Sequence, residues 1–467
     1  MKKLKEECGV AAIILKTGQN ISYLIYESLL ALQHRGQDAS GFVVYDNGKL
    51  ERRIGLGLVS EAFNGEDLKF NGTIAIGHTR YPTTGRCKLE DVQPVFHNKM
   101  ALAHNGHISN YSDLKKELEE KGYTFKGTVD SEPLLYILDY ELKNKKTIEG
   151  AIETLMKKVI GSYSVVWILE DKLVVFRDPH AIRPLVYGKS ELGYAFASES
   201  AALDINGFEY VGSVAGGELI IIQNNEMSRK IILQKEKRNC MFEYVYFSRT
   251  DSIINDKLVN DVRKKLGEII ADEHPVNADV VVPVPDTSRT AALAFSYKTG
   301  IPYEEGLIKN RYVGRTFIMN SQEKRRETVK RKLNPIKKVI EGKRVVLFDD
   351  SIVRGTTMKE IVRMVRGAGA CEVHLRITCP PVRAPCFYGV DMPSYKELIG
   401  SKKSIKQIEE YLNVESLGYI SMDGLLNAIG SGCCAGCLNE EYFSDYVLNL
   451  AKKVKENEGI LDGCNKC

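Results

Sequence analysis

The sequence is poor in three features that would have pointed it elsewhere. No run approaches the ~18 consecutive apolar residues of a membrane span, and the opening MKKLKEECGVAAIIL puts Glu6 and Glu7 where a signal peptide needs an apolar stretch. A surplus of one charge is nearly absent: 65 Lys and Arg stand against 61 Asp and Glu, a net +4 over 467 residues. That removes a nucleic-acid footprint as the default reading. There is no internal repeat, no low-complexity tract and no GxxxxGK[ST], so a P-loop is excluded. The expectation is a cytoplasmic chain with no membrane or nucleic-acid partner. In a reducing cytosol its 11 cysteines read as metal ligands, catalytic thiols or inert core residues rather than disulfides.

What is present is ordinary globular material, 43% hydrophobic and 27% charged, enough apolar side chain for two sizeable cores. From Gly9 to about Leu233 short β-rich runs dominate (GVAAIIL, GFVVY, TIAIGHT, YSVVWIL, KLVVF, GELIIIQ), with helical spacing at Ser22–Leu32, Leu114–Leu118 and Ile148–Val159. Strand runs with segregated helices predict a layered α+β domain. After the charged stretch Lys235–Arg238, strands and helices alternate: DVVVPV, a helix from Arg289, KRVVLFDD, a helix from Met358, then CEVHLRIT. Alternation with continuous β-branched runs predicts an α/β domain built on a parallel sheet. Beyond Gly430 cysteines and small residues take over, then a helical candidate at Glu441–Gly459 and a polar tail.

KRVVLFDDSIVRGTT, Lys343–Thr357, is a buried strand ending in two carboxylates, then a small-residue turn opening a helix. Backbone N–H groups from Val353 to Thr357, through Arg354, Gly355 and Thr356, with the hydroxyls of Ser351, Thr356 and Thr357, can enclose a phosphate at the positive helix end. Asp349 and Asp350 would repel phosphate, so they suit sugar hydroxyls or a divalent cation. The motif resembles the phosphoribosyl diphosphate (PRPP) site of type I phosphoribosyltransferases. VPVPDTSRTAA supplies Asp286, Thr287 and Ser288 before another helix, and GLIKNRYVGRTFI supplies Lys309, Arg311 and Arg315 around Tyr312. Such cations can neutralise a departing diphosphate. The basic run through EKRRETVKRKL to Lys332 alone reads as a solvated helix; following two Gly-containing turns it suits a mobile lid from Lys309 to Lys332.

Cys8 alone reads as a buried residue opening a strand. With residues 1–7 removed it would carry thiol and α-amine together, and an amine of pKa ~7.7–8.0 can serve the thiol as base. LQHRGQDASG, GHTRYPTTG, LAHNGHISN and GTVDSE resemble the glutaminase domain of N-terminal-nucleophile amidotransferases. The resemblance assigns Arg80 to the glutamine α-carboxylate, Asp130 to its α-amine, and the Asn105 side chain with the Gly106 N–H to an oxyanion hole; Arg35 supports them. His34, His78 and His104 read as core or turn histidines, none needed as base.

GCCAGC holds a C-x₂-C pair, Cys434 and Cys437, with Cys240 and Cys386 elsewhere. Four such thiols can hold zinc or a [4Fe–4S] cluster, and spacing does not choose. Cys433 competes with Cys434, CNKC offers Cys464 and Cys467, and Cys87, Cys371 and Cys379 read as inert.

From Cys8 to about Cys437 the chain resembles the glutamine PRPP amidotransferases, in particular a branch with a cleaved leader and a [4Fe–4S] cluster. The resemblance implies a leader at 1–7, a glutaminase domain at 8–235, a phosphoribosyltransferase domain at 236–430 and a cysteine-bearing segment at 431–467. It implies Mg²⁺ on Thr287, Asp349 and Asp350, the cluster on Cys240, Cys386, Cys434 and Cys437, inhibition by purine nucleotides, and a homo-oligomer, a tetramer. The expected reaction is glutamine-dependent synthesis of 5-phosphoribosylamine from PRPP. The rivals are a PRPP-sensing regulator without catalysis and an amidotransferase on another sugar phosphate. Retention of Cys8, Arg80, Asn105, Gly106 and Asp130 opposes the first, and DDSIVRGTT the second.

Overall fold

The computed structural model describes residues 8–81, 88–310, 332–392 and 394–459. The β-rich first half folds into two antiparallel sheets. In the seven-stranded sheet Gly9–Gln19 pairs with Gly72–Arg80, which pairs in turn with Ala39–Asp46. In the six-stranded sheet Met100–Ile108 pairs with Gly161–Leu169. Successive side chains of a strand point to opposite faces. Val10, Ala12 and Ile14 therefore meet Ala101, Ala103, Val166 and Ile168 of the other sheet, while Ala11, Ile13 and Leu15 pack with the helix Ile21–Ala31. Helices Ser131–Lys143 and Ile148–Lys158 share a core with the other face of the six-stranded sheet. The result is the expected α+β arrangement, helix on sheet on sheet on helix.

In the second half Val280–Pro283, Arg344–Asp349, Glu372–Ile377 and Ser416–Tyr419 form a parallel sheet in chain order. Val345, Leu347, Val373 and Leu375 pack with helices Thr356–Gly367 and Ile405–Leu412. Val281, Val346 and Phe348 face the helices Val259–Glu273 and Arg289–Thr299 instead. Strands covered on both faces need apolar residues throughout, which is why VVVP and VVLF are unbroken.

The charged stretch 235–238 runs along the first half, the N–H groups of Lys235 and Arg238 donating to the carbonyls of Pro179 (3.3 Å) and His180 (2.8 Å). Immediately after it, Asn239 and Cys240 pair in parallel with Cys433 and Cys434. The late cysteines thus return to the junction, and the helix Asp445–Asn457 buries Val447 and Ala451 in the same core. Among the described residues no helix is long and apolar enough to cross a membrane.

Candidate active sites

Cys8 immediately precedes the strand Gly9–Gln19, its carbonyl accepting from Arg35 Nε at 3.1 Å and its Sγ lying 3.9 Å from the Tyr81 carbonyl oxygen. Arg35 is itself buried and donates through Nη1 to Glu199 (2.6 Å) and through Nη2 to Glu243 (2.8 Å). Arg183 approaches Glu243 at 3.4 Å. Two buried guanidiniums against two buried carboxylates leave no net charge to desolvate, the condition under which such a group tolerates burial. Burial alone would raise the Glu199 carboxyl, but His34 and Arg35 outweigh it and hold it far below the usual range.

Asn105 and Gly106 lie on Met100–Ile108, in the other sheet. Asn105 Nδ2 donates to Ser198 Oγ at 3.3 Å, and that same oxygen accepts the Val10 N–H at 3.0 Å. Ser198 thus joins the candidate oxyanion residue to the strand that follows Cys8. Gly106 has φ +153°, and a Cβ there would fall 1.9 Å from the Ser162 carbonyl oxygen, so a side chain is excluded. Asp130 accepts the Ile108 N–H at 2.9 Å, with His104 and His107 each at 3.7 Å. Burial pushes its carboxyl up; His104, His107, the Ile108 N–H and Arg80 prevail and hold it below the usual range. Arg80 donates through Nη1 to the Asp91 carbonyl at 2.5 Å, while its buried Nε has no hydrogen-bond partner among the described residues. A donor left over at such a position suits an incoming carboxylate. His34 bonds Glu199 at 2.7 Å and His104 bonds Ser131 at 2.9 Å. His78 and His104 are depressed first by burial, then by Arg80 on His78 and against the opposing pull of Asp130 on His104.

The second site forms where two parallel strands end. Asp349 closes its strand, and the turn 350–355 leads into Thr356–Gly367. Asp350 N–H donates to Asp349 Oδ1 at 2.9 Å, Ser351 Oγ donates to Asp350 Oδ1 at 2.6 Å, and Thr287 Oγ1 donates to Asp350 Oδ2. The two loops after the first and second strands are thereby joined. A pocket opens here, walled by Asp349, Asp350, the turn Ser351–Gly355 and Thr357; Thr356 stands exposed beside it. Gly355 sits at φ +74°, where a Cβ would come 2.6 Å from Ile399 Cδ1. Arg354 pairs with Glu397. Lys309 pairs with Asp286 at 2.8 Å; burial pushes that carboxyl up, and Lys309 and Arg289 bring it below its usual range. Lys309 lies opposite Leu333, and the Asn310 N–H donates to the Lys332 carbonyl at 2.8 Å, so the two ends of the expected lid are pinned together. Arg311, Tyr312 and Arg315 lie outside the described residues, as do residues 1–7, Cys87, Cys464 and Cys467.

The sequence reasoning missed Tyr246, which joins the pocket wall from the segment after Cys240, and it missed Ser198, Glu199 and Glu243. EYVYFSR reads as a plain junction, and the one signal it offered was Glu243, a single acid inside an apolar and aromatic run.

The late cysteines converge. Cys240, Cys433 and Cys437 share one core with Cys379, and Cys386 and Cys434 pack against it. Burial pushes the Cys434 thiol up to about 12 with Cys386 adding to the shift, and Cys437 is raised by burial and then by Cys386, Cys434 and Cys240. Among the described residues no group of three or more His, Cys, Asp or Glu stands in an arrangement that would hold a metal ion.

A glutamine amidotransferase domain family model matches residues 84–205, and a phosphoribosyl transferase domain model matches residues 251–408. The amidophosphoribosyltransferase of Methanothermobacter thermautotrophicus is 44% identical, with 98% of each chain covered. That of Bacillus subtilis is 42% identical over 97% of this chain and 98% of its own. A solved glutamine PRPP amidotransferase from B. subtilis, complexed with ADP and GMP, superposes with a TM-score of 0.87 at 40% identity, covering 94% of this chain and 98% of that one. With both domains matched in order and near-complete coverage, the chain belongs to the amidophosphoribosyltransferase family.

Proposed function

We propose a division of labour for the amidophosphoribosyltransferase reaction, the first step of purine nucleotide synthesis, between the two halves of the chain. In the first half Cys8 attacks the side-chain amide of glutamine, its thiol proton passing to its own α-amine once residues 1–7 are cut away. The tetrahedral oxyanion takes the second N–H of Asn105 Nδ2 and the Gly106 N–H. Arg80 holds the substrate carboxylate and Asp130 its ammonium, while Arg35 fixes the Cys8 carbonyl. Ammonia leaves, water opens the thioester, and glutamate departs. In the second half ammonia attacks C1 of PRPP and the C1–O bond to diphosphate breaks, giving 5-phosphoribosylamine. The turn Ser351–Thr357 holds the 5-phosphate, Asp349 and Asp350 the ribose, and Lys309, Tyr312, Arg315 and Lys332 cover the diphosphate. Ammonia in bulk water at neutral pH is mostly protonated, which favours a closed route between the sites.

Two buried adjacent carboxylates with a hydroxyl at hand are the hard oxygen donors that suit a divalent cation. Mg²⁺ on Thr287, Asp349 and Asp350 would supply charge neutralisation for the leaving diphosphate. The late thiols are soft donors gathered from three segments. Cys240 and Cys437 share one core with Cys386 and Cys434 packed against it, and thiolates of this number are the donors a [4Fe–4S] cluster would take. Such a cluster would supply a covalent tie between junction, second sheet and tail. Purine nucleotides occupying the phosphate turn would inhibit, in line with the ADP and GMP of the solved relative, and the working form is a homo-oligomer, a tetramer.

The observation that carries the assignment is Ser198 Oγ, shared by Asn105 and by the strand that follows Cys8. Its test is Cys8→Ala: glutamine-dependent synthesis disappears while ammonia-dependent synthesis remains. Loss of both in a folded, iron-containing variant refutes separate sites.

A further inference from the structure

Residues 91–94 form a short buried segment beside the first site to which neither half-reaction gives a role. It is pinned to both sheets. From the seven-stranded sheet, Arg52 on the strand Lys49–Leu56 donates through Nη2 to the Val92 carbonyl at 2.6 Å and through Nε to the Pro94 carbonyl at 3.0 Å. From the six-stranded sheet, the N–H of His104, the residue before Asn105, donates to Gln93 Oε1 at 2.8 Å. A segment held from two sheets is a fixed reference against which looser parts can be set.

At its head Asp91, 5% exposed, serves two charged residues with two different groups. Its backbone carbonyl accepts Arg80 Nη1 at 2.5 Å. Its side-chain Oδ1 accepts both the N–H and the hydroxyl of Thr128, at 2.7 and 3.1 Å, and hydrogen bonds to an ionised acceptor are the stronger kind. A Cβ on Gly127 would fall 2.8 Å from that same oxygen, so the loop lies directly against the carboxylate. Asp130 follows two residues after Thr128, where it accepts the Ile108 N–H at 2.9 Å. Among the described residues Asp91 is the one partner of both Thr128 donors.

An α-amino acid carries its carboxylate and its ammonium on one carbon, so the two groups that read them must be held at one separation. We propose that Asp91 is a positioning residue that sets the separation of Arg80 and Asp130, and so selects an amide bearing an α-amino-acid head over a simple carboxylic-acid amide. This rests on the reading above in which Arg80 and Asp130 take the head of glutamine. The division of labour within Asp91 makes the two contacts separable: truncating its side chain releases the loop that carries Asp130 and leaves the carbonyl that holds Arg80.

The experiment compares glutamine with 4-carbamoylbutanoate, which is glutamine without its α-amine, in the full-length active enzyme with PRPP and Mg²⁺ present. Each is read by ammonia release or, where turnover of the analogue is too slow, by its inhibition constant against glutamine. Asp91→Ala should raise the KM for glutamine about tenfold with kcat within about threefold, the scale of one charged hydrogen bond lost from ground-state binding. The preference for glutamine over the analogue should fall by a similar factor, because only glutamine uses Asp130. Asp91→Asn, which keeps an acceptor for Thr128, should restore both. An unchanged preference in Asp91→Ala overturns the proposal, as does an equal loss with glutamine, the analogue and free ammonia, which is the mark of a merely structural residue. Should Asp91→Ala fail to fold, Thr128→Val removes one of the two donors and should lower the preference in the same direction; an unchanged preference there overturns the proposal too. Asp130→Asn separates the two readings: if it leaves the preference intact, the assignment of the glutamine head has failed, and not the positioning by Asp91.

Discussion

The two halves build their sites by opposite means. In the first half the candidate site residues lie on or beside strands of two stacked sheets, contributed from positions 8, 35, 80, 105 and 130, and a buried network of Arg35, Glu199 and Arg183, joined by Glu243 from just past the junction, holds the Cys8 carbonyl. In the second, the residues proposed for the phosphate and ribose lie in one turn past a strand end, with a second loop joined to it through Thr287 and Asp350. The first site is held by tertiary register, the second by a local turn at the carboxyl end of a parallel sheet. Mutations in the first half should therefore trade heavily on stability, and mutations in the second on chemistry.

The sharpest way to break that contrast is Glu243→Gln, a change just past the junction that leaves Glu199 as the one carboxylate facing the buried Arg35 and Arg183 in this network. It should cost roughly 3 kcal/mol or more of stability, read by denaturant unfolding, and a loss below ~1 kcal/mol would contradict a network that fixes the first site. Next comes Asp350→Asn, which should leave the unfolding midpoint nearly in place while lowering synthesis about 10²-fold with either nitrogen source. A variant that keeps its ammonia-dependent rate would remove Asp350 from the second site.

How much of this was legible in the sequence follows the same divide. The phosphate turn is contiguous, so KRVVLFDDSIVRGTT displayed strand, carboxylates, turn and helix together. The first site became legible only through resemblance, because no spacing rule links Cys8 to Asn105; register across two sheets does, through Ser198. The helix Ser131–Lys143 escaped notice because it is buried around most of its circumference, Glu132, Asp139 and Glu141 included, which erases the one-sided apolar stripe that marks a surface helix. The helix Val259–Glu273 was overlooked although it does bury one face. The convergence of the cysteines depended on a parallel bridge between residues almost two hundred positions apart.

A smaller effect concerns the late thiols proposed to hold the cluster. Cys434→Ser should lose iron and Cys433→Ser should keep it, since only Cys434 has the C-x₂-C spacing to Cys437; the reverse pattern exchanges the ligand. The smallest is a pH effect within the first half. Burial pushes the Asp178 carboxyl up to about 6 against the opposing pull of Arg177 and three backbone N–H groups. A raised native pKa means the folded state holds the proton more tightly. Its stabilising contribution is complete below about pH 4 and is lost as pH rises to about 6, at no more than ~1.4 kcal/mol per pH unit. Asp178→Asn should flatten that slope in thermal melts across pH 4–7; an identical slope in both proteins would remove Asp178 as its source.

The central claim is that one chain carries two chemically separate sites that meet only through ammonia. Its most direct test is the ratio of glutamine-dependent to ammonia-dependent diphosphate release, measured side by side in the parent enzyme, Cys8→Ala and Asp350→Asn. The account predicts a ratio near zero for Cys8→Ala and a ratio close to the parent's for Asp350→Asn, with both of its rates depressed together. A Cys8→Ala protein that loses both activities, or an Asp350→Asn protein that loses only the glutamine-dependent one, contradicts it.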